Sequence, residues 1–258
     1  MFNKLTVSII GIFLALSLGG CASQANKDPL EGLNRGIYKF NDTADKAVIK
    51  PIAGAYKAVV PSTLRTGVNN FFDNLGTLIT FFNNVLQFKF SHAMDDAGRF
   101  VVNSTFGVLG LIDVASMDNI PHHSEDFGQT LGHWGLGSGP YLVLPFIGPS
   151  SVRDATGFAV DFTAFYPISY IEDVRTRNHL LVLGFIDTRA QYLPASDLLD
   201  EAALDPYSFM RDAYLQRREN QVTDGQAQRQ EDPFFDQYYE EDYMAPEDQA
   251  ASAGSSAE

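Results

Sequence analysis

The chain contains 258 residues, of which 45% are hydrophobic and 19% are charged, and its formal net charge is −14. The apolar fraction is that of a globular protein, so the composition excludes a chain that is disordered throughout. The excess of acidic residues argues against nucleic-acid binding, which requires clustered Lys and Arg to neutralise phosphates. The single cysteine excludes an internal disulfide and a multi-cysteine metal site.

The first twenty residues have the pattern of a bacterial lipoprotein signal peptide. Lys4 precedes an apolar stretch that is too short to span a bilayer comfortably as a helix. The stretch ends in LGGC, which resembles a lipobox, whose cysteine receives a diacylglyceryl group. We therefore predict a signal peptide over 1–20 and an acylated Cys21 that begins a lipidated tether over 21–27. An ordinary secretory signal with a coincidental cysteine is the alternative.

The residue after the cysteine indicates where the anchored protein goes. It is Ala22 rather than Asp, and similarity to Gram-negative lipoproteins then predicts the outer membrane rather than the inner one. The mature chain divides into a helical domain over 28–222 and a tail over 223–258, which holds ten acidic residues and one basic residue. This composition predicts a mostly disordered tail, which we expect to lie in the periplasm.

The clearest helical signal runs from Val68 to Leu86, where apolar residues recur with a period of about 3.6. The opposite face consists of Asn and Thr, and Asp73 is the only charged residue between Val68 and Gln87. A helix face in water normally carries Glu, Lys and Arg, whereas uncharged amides cost less in a low-dielectric setting. The pattern fits either a buried helix of a soluble core or a helix within a membrane.

Three other helices are indicated by capping signals at their first residues. They are predicted from Ser91 to about Asn103, from the capping-box pattern SVRD at 151–154, and from Asp205-Pro206 to about Val222. Alternating strand patterns are scarce. We therefore predict an all-α domain with few or no sheets.

The stretch 135–148 has no charged residue and is interrupted by Gly and Pro. It is too short and too broken to span a bilayer as one helix. The pattern predicts a broken apolar hairpin. Such a hairpin is either a re-entrant or pore-lining element or a buried loop that crosses a soluble core.

No arrangement of residues indicates catalysis. The serine-hydrolase motif GxSxG, the dinucleotide-binding loop and the P-loop are absent. His122, His123 and His133, near Glu125 and Asp126, are the only cluster that resembles metal ligands, but they lack a metal-binding spacing. We therefore interpret them as polar loop residues and expect no catalytic residue, metal or cofactor.

Five segments distributed between residues 28 and 218 resemble the MlaA/VacJ family of outer-membrane lipoproteins, and they occur in the family's order. The segments are DPLEGLNRGIYKFND at 28–42, NNFFDNL at 69–75, RFVVNSTFGVLGLIDVA at 99–115, EDFGQTLGHWGLGSGPYLVLPFIGPSSVRDATG at 125–157, and LDEAALDPYSFMRDAYLQRR at 199–218. Together with the lipobox they form a highly specific match.

The resemblance implies an all-helical, ring-shaped protein that is embedded in the outer membrane without forming an ordinary transmembrane bundle. It implies a central amphipathic channel that removes phospholipids mislocalised to the outer leaflet and passes them to a periplasmic lipid-carrier protein. Family members work bound to trimeric porins, are not enzymes, and maintain the lipid asymmetry of the outer membrane. The alternative function is a structural porin-binding lipoprotein without transport activity.

The resemblance also carries residue-level expectations. It implies that Phe40 and Asn41 belong to a region that affects the open or closed state of the channel, and that 135–148 is a flexible element near it. We hypothesise that the hairpin lines or gates the channel through Tyr141, Leu142, Leu144 and Phe146. We further expect Arg153 and Asp154 to hold the helix start that anchors the hairpin.

Overall fold

A computed structural model of the protein describes residues 28–225. The predicted signal peptide, the acylated Cys21, the tether and nearly all of the acidic tail lie outside the described residues. The chain divides into two compact units, Met1–Tyr214 and Leu215–Glu258. Everything described below belongs to the first unit, except the last turns of the final helix.

The described residues are mainly helical. The α-helices are α1 (Glu31–Ala44), α2 (Lys50–Val59), α3 (Ser62–Leu86), α4 (Phe90–Thr105), α5 (Val114–Met117), α6 (Phe127–His133), α7 (Val152–Val160), α8 (Val174–Ala202) and α9 (Pro206–Val222). Two π-helical segments, Asp45–Ile49 and Asp161–Phe165, continue α1 and α7, and a 3-10 helix covers Pro167–Tyr170. The two strands are β1 (Tyr141–Leu144) and β2 (Gly148–Ser151).

The helices predicted from periodicity and capping signals are present. The apolar stripe lies on α3, which begins six residues before Val68, and the remaining predicted helices correspond to α4, α7 and α9. The predicted cap at Ser91 is wrong, because α4 begins at Phe90 and Lys89 occupies the N-cap without a side-chain hydrogen bond. The hydroxyl of Ser151 accepts the N–H of Asp154 at 3.1 Å, as the capping-box pattern predicts. The mainly helical class is therefore confirmed.

The all-α prediction needs one correction, because the stretch 135–148 contributes to a small sheet. Strands β1 and β2 pair antiparallel, with Tyr141 opposite Ser151 and Leu144 opposite Gly148. The prolines of this segment prevent a helix, and pairing satisfies backbone groups that would otherwise lack partners. Phe146 lies at the tip of the turn with a φ of +63°, a left-handed conformation that is strained for a bulky residue.

The side chains that α3 buries are all polar. They are Asn74, Thr77, Thr80, Asn83 and Asn84, whereas the residues of its apolar stripe are only half-buried or exposed. The buried face is therefore the one that would face water in an ordinary amphipathic helix.

Hydrogen bonds satisfy most of this polar interior, although the buried Oδ1 atoms of Asn74 and Asn84 have no partner within residues 28–225. The amide of Asn83 donates to Asp161 Oδ1 at 2.9 Å and accepts the hydroxyl of Thr130 at 2.7 Å. Asp161, the first residue of the second π-helical segment, also accepts the backbone N–H of Phe127 at 2.8 Å. On the neighbouring turn, Asn84 donates to Asp96 at 2.7 Å. These bonds join α3, α4, α6 and α7, because buried amides and carboxylates require partners.

Large apolar side chains are correspondingly exposed. Phe106 is 75% exposed, Phe88 73% and Leu109 70%, and many other apolar residues of the described chain are also open. Large exposed apolar surface marks a protein or membrane contact, because water disfavours it. That α3 lies within a membrane stays a prediction. Among the described helices, none combines the length and the apolar character that a bilayer crossing requires.

Candidate functional site

A cavity of about 530 Å³ lies between α1 with its π-helical continuation, the β-hairpin and α8. Apolar side chains form much of its wall, among them Ile49, Val143, Phe146, Phe185 and Leu199. Charged side chains line it as well, namely Asp42, Asp45, Lys46, Arg189 and Asp200. The volume falls in the range of small-molecule sites, and the mixed wall suits an amphipathic ligand.

The charged part of the wall joins α1 to α8. Arg189 donates through Nε and Nη2 to the two carboxylate oxygens of Asp45, both at 2.7 Å. These bonds raise the pKa of the Arg189 guanidinium, which therefore stays charged. Lys46 lies 2.8 Å from Asp42 and 3.8 Å from Asp200. Asp45 and Lys46 begin the π-helical segment, a distortion that is frequent at functional sites.

Two asparagines of α1 hold the hairpin against the helix. Asn41 donates to the carbonyl of Leu144 at 2.9 Å and accepts the N–H of Phe146 at 2.8 Å. Two helical turns earlier, Asn34 donates to the carbonyl of Tyr141 at 2.9 Å and accepts the N–H of Val143 at 3.0 Å. Residues seven apart share a helix face, so both amides meet the same strand.

The structure separates the predicted channel residues into two groups. Asn41 and Phe146 line the cavity. Phe40 packs edge-to-face against Phe146, with ring centroids 5.3 Å apart. Tyr141, Leu142 and Leu144 lie on β1 outside the cavity wall. The gating role of all these residues stays a prediction.

Tyr141 is instead part of a buried aromatic cluster at the base of the hairpin. Its ring lies 6.3 Å from that of Tyr207 and 5.9 Å from that of Tyr214. The hydroxyl of Tyr207 donates to the carboxylate of Asp28, which also accepts the amide of Asn34 at 2.8 Å. Burial raises the pKa of Tyr141 and of Tyr207, so both phenols remain neutral.

Arg153 and Asp154 lie in the first turn of α7, directly after β2. Arg153 Nε donates to Asp154 Oδ1 at 2.9 Å, and the hydroxyl of Tyr214 donates to Asp154 Oδ2 at 2.6 Å. Arg153 Nη1 also reaches the carbonyl of Leu136 at 3.5 Å, before β1. The pair thus contacts the chain on both sides of the hairpin, and its supporting role stays a prediction.

The histidines noted in the sequence occupy separate positions. His122 lines a small polar cavity of about 40 Å³ beside Asp73 and Arg99. His123 lies 3.1 Å from Asp96, and its ring stacks on His92 with centroids 4.1 Å apart. Within residues 28–225 no three His, Cys, Asp or Glu side chains are grouped as metal ligands.

The charged wall of the cavity was not predicted from the sequence. Asp45 and Lys46 follow the matched segment 28–42, and Arg189 lies in the middle of a long helix. Asp45 and Arg189 are 144 positions apart, so no local spacing connects them. One sequence signal could have indicated a charged site on α8, namely the charged residues Asp187 and Arg189 directly after an apolar stretch of that helix.

The polar interior, the exposed apolar surface and the amphipathic cavity define a membrane-associated helical protein that can hold an amphipathic molecule. The model of the MlaA lipoprotein family matches residues 26–221, so the chain belongs to that family. This confirms the resemblance found in the sequence.

Relatives and a solved structure agree with this family. The intermembrane phospholipid transport system lipoprotein MlaA of Escherichia coli is 38% identical over 243 residues, which cover 89% of this chain and 94% of the relative. The protein of the same name from Haemophilus influenzae is 32% identical over 238 residues, covering 86% and 92%. A solved structure described as "Structural basis for maintenance of bacterial outer membrane lipid asymmetry" is 36% identical, with a TM-score of 0.68, and covers 76% of this chain and 100% of that chain.

Proposed function

We propose that the protein is an outer-membrane lipoprotein that removes mislocalised phospholipids from the outer leaflet and returns them toward the inner membrane. The names of the E. coli and H. influenzae relatives, which are intermembrane phospholipid transport lipoproteins, support this function. The observation that carries it is the amphipathic cavity between α1, the hairpin and α8. A phospholipid needs an apolar wall for its tails and polar groups for its headgroup, and this cavity has both.

The distribution of side chains supports a position within the membrane. The polar interior is internally hydrogen-bonded, and exposed phenylalanines and leucines can contact lipid tails without losing any polar partner. The ring shape and the central channel implied by the resemblance stay predictions. So do the acylation of Cys21, which would anchor the chain, and the periplasmic position of the tail 223–258.

The proposed partners are phospholipid, the outer membrane, a trimeric porin and a periplasmic lipid-carrier protein. We expect no enzymatic activity, because phospholipid transport changes no covalent bond. The cavity supports transport over a purely structural porin-binding role, since a scaffold does not require a site of this size and polarity.

A deletion strain tests the function. Loss of the protein should increase the phospholipid exposed on the cell surface, and expression of the wild-type chain should restore the normal level. A strain that lacks the protein and retains normal lipid asymmetry would support the scaffold instead. Lysophospholipid formed in proportion to the protein would indicate an enzyme.

A disulfide between α1 and the hairpin tip tests the gating hypothesis. The side chain of Asn41 accepts the N–H of Phe146 at 2.8 Å, so the two positions are in direct contact and suit a cross-linking test. The variant Asn41→Cys/Phe146→Cys should lose lipid removal when oxidised and recover it when reduced. Each single cysteine variant is the control. Full activity of the oxidised protein would show that the hairpin is not a gate.

A further inference from the structure

We propose that the charged wall of the cavity selects phospholipids that carry an ammonium group beside the phosphate over phospholipids with a net negative headgroup. The inference rests on the proposed transport function and specifies its substrate class. Its basis is the set of charges on the wall and the partners that each charge already has.

Most of the charged side chains of the cavity wall already form ion pairs with each other. Arg189 and Asp45 form a bidentate pair whose side chains are 15% and 24% exposed, and Lys46 lies 2.8 Å from Asp42. Each of these pairs is neutral overall, so neither attracts a charged headgroup strongly.

Asp200 is the one carboxylate of the cavity wall that belongs to neither of these two pairs. Its oxygens lie 3.8 Å from Lys46 Nζ and 3.7 Å from Lys50 Nζ, and it makes no hydrogen bond to the residues that the structure describes. Lys50 is closer to Asp197, at 2.7 Å, and Lys46 is closer to Asp42. Asp200 is thus shared loosely by two lysines that have closer partners. The wall carries three carboxylates, Asp42, Asp45 and Asp200, against the two cations Lys46 and Arg189. This excess of one negative charge attracts an ammonium group and repels an additional anion.

The guanidinium of Arg189 has one N–H group that makes no hydrogen bond to the described part of the chain. Its Nη1 atom is buried and has no hydrogen-bond partner within residues 28–225. A buried donor without an acceptor is unfavourable, and a phosphate oxygen is a strong acceptor for a guanidinium. The wall thus combines an excess of carboxylate with a buried guanidinium N–H that lacks an acceptor within residues 28–225.

A zwitterionic headgroup matches both groups. Its phosphate can accept a hydrogen bond from the guanidinium of Arg189, and its ammonium can donate to the carboxylate of Asp200. The headgroup as a whole is neutral, so it adds no net charge to a wall that is already acidic. An anionic headgroup such as phosphoglycerol satisfies the donor but adds a negative charge next to Asp200. We therefore expect phosphatidylethanolamine to bind more tightly than phosphatidylglycerol.

The test is a competition measured on the full-length acylated protein. The protein, purified from membranes in detergent, is incubated with equal amounts of phosphatidylethanolamine and phosphatidylglycerol that have identical acyl chains, and the bound lipids are quantified by mass spectrometry. The wild-type protein should enrich phosphatidylethanolamine about three- to fivefold, the range that a partly exposed ion pair allows. Asp200→Asn should bring the bound lipids close to the supplied ratio.

Matched variants distinguish the possible outcomes. Asp200→Glu keeps the carboxylate in the cavity wall and should keep the enrichment. Asp200→Ser provides a second neutral side chain, so the result does not depend on the folding of one variant. Enrichment that persists in both neutral variants overturns the inference, as does a wild-type protein that binds both lipids equally. In those cases the transport function stands, whereas a protein that binds neither lipid contradicts both proposals.

Discussion

Arg189 of α8 donates hydrogen bonds to both carboxylate oxygens of Asp45 at 2.7 Å. The pair connects two sides of the cavity wall that are 144 positions apart in the sequence. Asp45 begins the π-helical segment that continues α1. The pair therefore fixes the distance between the helix that carries the hairpin and the long helix opposite.

A double-mutant cycle measures this connection. Arg189→Met, Asp45→Asn and the double variant should show a coupling of about 1–2 kcal/mol in the free energy of unfolding, as for a partly buried bidentate pair. Chemical unfolding in detergent, followed by circular dichroism, provides the values. Additive effects of the two substitutions would mean that the pair does not stabilise the wall.

Removal of the Asn41 amide should loosen the hairpin. Asn41→Ala deletes the hydrogen bonds to the Leu144 carbonyl and to the Phe146 N–H, and the tip then opens more often. We expect hydrogen exchange over 141–151 to accelerate about tenfold, which corresponds to about 1.4 kcal/mol. Lys39→Ala, an exposed position of the same helix, is the control and should leave exchange unchanged. Equal protection in Asn41→Ala would show that the hairpin is held elsewhere.

The polar interior should be intolerant of apolar substitution. Asn83→Leu removes the nearer acceptor of the Thr130 hydroxyl, which keeps only the Asp126 carbonyl at 3.4 Å, and removes one donor from Asp161. We therefore expect a loss of about 2–3 kcal/mol in the free energy of unfolding. Asn69→Leu is the matched control, because Asn69 lies on the same helix and makes no side-chain hydrogen bond within residues 28–225. If the two variants unfold alike, the buried network does not stabilise the fold.

Asp205 should contribute to the acid sensitivity of the protein. Hydrogen bonds from Arg35, and then from Ser208, hold the pKa of this carboxyl well below its usual range. Its contribution to stability is therefore complete above about pH 4 and is lost as the pH falls from there toward the folded-state pKa. Asp205→Asn should lower stability at neutral pH and flatten the decline in acid.

Chemical unfolding at several pH values between neutrality and about pH 3 measures this effect. Arg35→Met is a second variant, because it removes the largest cause of the lowered pKa. It should also flatten the acid decline. Stability curves of Asp205→Asn and the wild type that run parallel at all pH values would contradict the assignment.

Local sequence signals predicted the helices well and the cavity poorly. Helices α3, α4, α7 and α9 follow from apolar periodicity and from caps such as Ser151 and Asp205, which act within a few residues. The strands were missed because each covers only four residues. The asparagines of α1 that hold the hairpin in place lie more than a hundred positions away, so no local spacing reveals them. The amide face of α3 did signal an unusual environment, but its partner Asp161 was not identifiable from spacing.

The central claim is that phospholipid passes through the cavity, and a substitution that fills it tests this most directly. Thr188→Trp places a large side chain into the cavity wall, and Thr63→Trp places the same side chain at an exposed position of α3. The measurement is surface-exposed phospholipid in a deletion strain that expresses each variant at equal membrane levels. We predict that the wild type and Thr63→Trp restore lipid asymmetry and that Thr188→Trp does not. Full restoration by Thr188→Trp would contradict the account.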